Sequence, residues 1–272
     1  MDRPFFRWLF YGHVWIALAA AALGWQSTYL AQGGSAVRRT HLFIFFATLA
    51  VYTAHRSISY HRAFGEPTGR RYGLVADSPT ASVWVGVTAI LVAAFLGLGM
   101  SYFAWLPLLL SLPFTFFYLI PIFPGGPRLR DLPYLKVIWV ALAWMLVTDL
   151  LPKFAEGPPL DFVGAVVRFT FTLAVALLFD LRDVELDRRQ GVRTFAARSP
   201  RGSRRLATLL LLACTVAGFA VYPLAQALPL GLAYGAGIVI AQLTHSDRSE
   251  DWYAAYVNGM LLLPPLFLFL LG

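Results

Sequence analysis

The sequence holds a single cysteine, Cys214, so no internal disulfide can form, and its place in an apolar run suits packing. Charge is scarce as well. Only 13% of the 272 residues are Asp, Glu, Lys or Arg, against 58% hydrophobic, and mean hydropathy is +0.65. An ordinary soluble domain carries about twice that charged share, which excludes a water-surrounded globule. Flexible linkers, low-complexity tracts and obvious repeats are missing, so no separate soluble domain is expected and residues 1–272 read as one unit. Acids are the rarer sign, 14 against 22 bases, giving a net charge of +8 and a pI of 9.9.

What the chain has in place of these is apolar runs. Segments of about 20 residues, the length that crosses a bilayer, fall at roughly 7–30, 40–60, 81–99, 102–122, 132–151, 162–180, 205–224, 227–243 and 253–271. The expected fold class is all-α, a polytopic bundle of about nine transmembrane helices. Asp2, Arg3 and Arg7 precede the first run as they would in a signal peptide, but that run continues to Leu30, which favours an uncleaved helix. A basic pI can indicate nucleic acid, yet here most bases lie in alternate loops. Arg38, Arg39 and Lys153 fall on the opposite side and Arg168 within a span. This bias predicts a cytoplasmic N-terminus, an outside C-terminus, contact with lipid headgroups and no nucleic-acid partner. The expected location is the bacterial cytoplasmic membrane.

The densest charge lies in FDLRDVELDRRQGVRTF, Phe179 to Phe195, at the end of the sixth run. On an α-helix, with Asp180 at zero, Asp183 falls at about 300°, Asp187 at about 340° and Glu185 at about 140°. Three aspartates therefore share a face, and the glutamate points away. Such a row of hard oxygens suits Mg²⁺ bridging to phosphate. The alternative is a solvated helix end in which Asp183, Glu185 and Asp187 pair with Arg182, Arg188 and Arg189. Asp180 follows VALLF at the hydrocarbon boundary, where an acid is a functional candidate by default.

The pattern D-x-x-D-x-x-x-D followed by R-x-x-G-x-R-T, with Asp180, Asp183, Asp187, Arg188, Gly191, Arg193 and Thr194, resembles the second aspartate-rich motif of the UbiA superfamily of intramembrane prenyltransferases. PYLKVIWVALAWM, Pro133 to Met145, is similar to the start of the family's fifth helix. The resemblance implies a helical bundle around a lipid-open cavity, with Mg²⁺ on Asp180, Asp183 and Asp187. It also implies a prenyl diphosphate and a lipophilic acceptor; the candidate diphosphate-binding residues of this chain are Arg56, Arg188, Arg193, Arg128 and Lys136. The implied reaction is prenyl transfer after Mg²⁺-assisted loss of diphosphate at the cytoplasmic face. The alternative is an altered or inactive relative that binds isoprenoid lipid or a partner protein.

The family's first motif, of Asn-Asp-x-x-Asp type, has no counterpart. VYTAHRSISYHR, Val51 to Arg62, contains no acid, and Glu66 and Asp77 beyond it lack the spacing. Instead, Tyr52, Thr53, Arg56, Ser59 and Tyr60 form one polar stripe by helical phase, with His55 off it. Arg56 is expected to bind diphosphate, to pair with Asp180 or Asp183, or to snorkel to the interface. Arg128, Arg130 and Lys136 either close over diphosphate or meet headgroups. Arg168 and Asp149 are expected to pair within the bundle, and THSDRSEDW, Thr244 to Trp252, reads as a solvated loop. The matching Gly/Pro-broken halves that mark a transporter are not evident, and a CDP-alcohol phosphotransferase would need glycine where Phe179 stands.

Overall fold

The computed structural model describes residues 3–62, 69–157, 161–189 and 191–272, and among these it contains helices and no strand. The long helices are α1 (Val14–Gln32), α2 (Arg39–Arg62), α3 (Pro79–Gly97), α4 (Tyr102–Phe116), α5 (Lys136–Glu156), α6 (Phe162–Arg189), α7 (Pro200–Val221), α8 (Leu224–Leu243) and α9 (Glu250–Leu271). Eight are long and apolar enough to cross a membrane. The exception is α4, shorter than the run at 102–122 suggests. Its 12 α-helical residues, Trp105–Phe116, reach only about 18 Å. Pro113 lies within it, and the chain turns through Phe117–Ile120 before Pro121. Glu66 lies outside the described residues.

Packing follows sequence order and then closes. α2 lies between α1 and α3, while α5 to α9 pack as successive neighbours and α9 returns to α1. Alanines at 17, 19 and 20 on α1 are fully buried, and the absence of bulk lets neighbouring helices approach. Large apolar side chains such as Trp84, Leu91 and Phe95 on α3 face outward, as a lipid-exposed surface requires.

Proline accounts for one irregularity. A π-turn, Leu146–Leu150, interrupts α5 just before Pro152, which has no N–H for the carbonyl of Thr148. Ser27 of α1 lies there instead, its Oγ 3.0 Å from that carbonyl and 2.8 Å from Asp149 Oδ1. The expected Arg168–Asp149 pair is not formed. Asp149 pairs with Lys153 at 2.9 Å, while Arg168 donates to Leu23 O at 3.0 Å and Ser27 Oγ at 3.1 Å. Lysine one helical turn further on competes better for Asp149, and Ser27 links the two groups.

Candidate functional site

The arginine-rich end of the bundle contains a cavity of about 330 Å³ between α1, α2, α4, α5, α6 and α9. Residues one or two helical turns apart on α2 point one way, and this places Tyr52, Arg56 and Ser59 on its wall. Thr53 packs against Gly86 of α3 instead. His55 joins the lining with a local partner, Thr115 O at 3.1 Å, and a stacked ring, Tyr118. Arg56 forms no ion pair among the described residues. Its Nε is buried without a partner, and its guanidinium lies over the Tyr72 ring at 5.3 Å. The pairing with Asp180 or Asp183 weighed for it is thus not formed.

At the end of α6 the helix tightens. Asp180–Asp183 is a 3₁₀ turn, with three residues per turn, which brings Asp183 nearly over Asp180 before α-helix resumes at Val184. Glu185 faces away and meets exposed Arg189 at 3.2 Å. The space between Asp180 and Asp187 is filled by Lys136, whose Nζ is 2.9 Å from Asp180 Oδ1 and 3.2 Å from Asp187 Oδ2. Asp183 is held from two sides. Arg71 reaches Oδ1 at 2.8 Å, and Arg182 forks onto Oδ1 at 3.1 Å and Oδ2 at 2.9 Å. Asp187 is fully buried, off the cavity wall, and its Oδ1 has no partner.

The residues after α6 position Lys136. Gly191 adopts φ +70, a left-handed conformation that favours glycine, and the amide of Val192 bonds back to Asp187 O at 2.8 Å. Thr194 then caps the next turn by accepting from the amide of Ala197 at 3.0 Å. Between these two, the carbonyl of Arg193 accepts from the amide of Tyr134 at 2.9 Å, two residues before Lys136. Tyr134 is itself left-handed at φ +63, and its ring packs on Phe195. The Gly-x-Arg-Thr segment is therefore a clamp on the start of α5. The Arg193 side chain is exposed, and Arg188 bonds Ala197 O, so neither lines the cavity. Arg128 is also outside, pairing with Asp131 at 2.7 Å. Burial pushes the Asp131 carboxyl up, but the guanidinium and amide of Arg128 outweigh it and hold the group below the ordinary carboxylate range.

Of the residues expected at the site, Asp180, Asp183, Arg56 and Lys136 line the cavity; Asp187, Arg128, Arg188 and Arg193 do not. Arg130, one of the two readings of which has it closing over diphosphate, also lines the cavity, whereas spacing does not single out Arg71 and Arg182 as ligand-facing groups. Arg71 comes from a short helix, Arg70–Asp77, that contributes Arg71 and Tyr72 to the lining, and the first residues of α9 fix that helix. Glu250 accepts from the Arg71 amide at 3.0 Å and faces its Nε at 3.6 Å; Asp251 pairs with Arg70 at 2.7 Å and Tyr11 at 2.5 Å. Thr244 to Trp252 thus supports that helix, a role hidden because its partners lie far away in sequence. Arg130 rests over the Tyr118 ring at 5.8 Å with no ion pair among the described residues. The cavity then carries five cations, Arg56, Arg71, Arg130, Lys136 and Arg182, against three carboxylates, Asp180, Asp183 and Glu250. Further in, the wall turns apolar and aromatic, with Tyr52, Trp144, Phe179 and the stacked pair Phe114 and Trp139.

The Mg²⁺ expected on the three aspartates does not fit this donor set. Mg²⁺ takes oxygens at about 2.1 Å in octahedral geometry, whereas here Lys136 separates Asp180 from Asp187 and two guanidinium groups occupy Asp183. Among the described residues no group of three or more His, Cys, Asp or Glu side chains is arranged to hold a metal ion.

No protein-family model and no curated protein matches the sequence. Solved structures do match. A UbiA homologue from Archaeoglobus fulgidus bound to GPP and Mg²⁺ shares a TM-score of 0.64 with this chain at 13% identity, over 97% of this chain and 99% of that one. The chain has the UbiA fold. The same homologue bound to DMAPP and Mg²⁺ gives 0.63 at 13% identity, covering 97% and 98%. A structure concerned with digeranylgeranylglyceryl phosphate synthase gives 0.56 at 12% identity, covering 98% of each chain. At such identities the UbiA fold is a likeness of shape, and the chemistry must be read from the residues of this chain.

Proposed function

We propose that the chain is a membrane prenyltransferase. The diphosphate of an allylic prenyl diphosphate sits among the cations at the charged end, and the prenyl tail lies along the aromatic wall beside a lipophilic acceptor. The observation that carries this reading is the union, in one cavity, of surplus positive charge and an apolar wall, which matches an amphiphile with an anionic head. In the transfer, the bond from prenyl C1 to the diphosphate oxygen breaks and the electron pair leaves with the diphosphate. Guanidinium and ammonium groups stabilise that charge as it develops. The remaining allylic cation is shielded by ring faces such as Tyr52, Tyr118 and Trp139. An electron-rich atom of the acceptor then bonds to C1 and releases a proton to solvent. Two of the solved neighbours are bound to Mg²⁺ with GPP or DMAPP, whereas in this chain the aspartates are paired with side-chain cations.

A second reading has a specific observation in its favour. The salt-bridged aspartates suit a protein that binds an isoprenoid diphosphate without turning it over. Purified protein incubated with geranyl diphosphate and a total membrane lipid extract separates the two readings. Diphosphate release that falls in Arg56→Gln supports transfer. Binding without release supports the second reading, and absence of binding contradicts both.

A further inference from the structure

We propose that the cavity binds its diphosphate ligand without a divalent metal, with side-chain cations in the place of metal charge. This rests on the reading above that the ligand is a prenyl diphosphate. Three observations carry it. First, the ammonium of Lys136 lies between two carboxylates that a metal would otherwise bridge, 2.9 Å from Asp180 and 3.2 Å from Asp187. All three groups are buried, so displacing Lys136 would strand an ammonium in a desolvated place, at a large cost. Second, both oxygens of Asp183 accept from guanidinium groups, and Asp187 Oδ1, buried without a partner, lies off the cavity wall. Third, Arg56 stands on α2 where no carboxylate is available. It and Arg130 are the lining arginines that make no ion pair among the described residues, and the Nε of each is buried without a partner. Buried guanidinium donors left unsatisfied in an apolar site are costly, and a diphosphate supplies the planar, bidentate acceptors that they fit. A dication entering the same space would face five resident cations.

The test is isothermal titration calorimetry of the detergent-purified protein with geranyl S-thiolodiphosphate, a poorly hydrolysed probe, in EDTA and in excess Mg²⁺. Affinity is expected to agree within about threefold between the two conditions, and Arg56→Gln and Arg130→Gln are each expected to lower it by about tenfold or more in EDTA. Neither arginine makes an ion pair, so both variants should keep the wild-type unfolding temperature. Mn²⁺ added to the protein without the probe, which would itself chelate the ion, should retain its free-ion electron paramagnetic resonance spectrum. Binding that appears only with Mg²⁺, or a protein-bound Mn²⁺ signal, would overturn metal independence while leaving the proposed substrate intact. No binding under either condition would overturn the substrate reading, and this inference with it.

Discussion

Lys136 joins two buried aspartates that the chain would otherwise bring together as like charges. Lys136→Met is therefore expected to destabilise the protein by about 3–5 kcal/mol, the usual effect of removing one member of a buried charge set, seen as a lower midpoint of thermal unfolding in detergent. Adding Asp187→Asn to Lys136→Met should recover part of that loss; no recovery would show that Lys136 does not act through Asp187. The spacing of Asp180, Asp183 and Asp187 makes an acidic face legible, and the outward turn of Glu185 is read correctly from helical phase. What fills that face is not legible, because Lys136 belongs to another helix and periodicity carries no information on pairing between helices. The same limit hides Arg71, whose partners Asp183 and Glu250 belong to α6 and α9.

Elements show a second kind of hidden information. The run Arg188 to Thr194 is recognisable as a motif, but its work is conformational: a left-handed Gly191, a cap at Thr194, and a carbonyl that holds the start of α5. A Cβ at Gly191 would meet nothing within 4 Å, so Gly191→Ala tests backbone conformation alone. It is expected to cost about 1–2 kcal/mol, and Gly191→Asn less, since Asn tolerates the left-handed region better. Chemical denaturation of the two variants checks the order; equal stability to wild type would remove the clamp from the picture. The short α4 and the π-turn in α5 follow from Pro113 and Pro152, whose positions are plain in the sequence, but only the structure shows Ser27 beside the freed Thr148 carbonyl.

For the whole molecule, hydropathy is enough to place eight spanning helices, because a spanning segment must be both long and apolar, whereas the run at 102–122 yields only a short helix. Orientation is a separate matter and rests on the placement of arginines. In intact cells a membrane-impermeant maleimide is expected to label Gly34→Cys, on the α1–α2 loop, and to reach Arg189→Cys only after lysis; the reverse pattern would invert the topology. Cys214 is buried and gives little background. The assignment of the charged cavity to a prenyl diphosphate is tested most directly by photolabelling with a benzophenone-bearing geranyl diphosphate analogue, followed by peptide mapping. Label on the cavity wall around Tyr52, Tyr118 and Trp139, competed by geranyl diphosphate and diminished in Arg56→Gln, is the predicted result. Label confined to outward-facing residues such as Trp84 and Phe95, or unmoved by competitor, would contradict it.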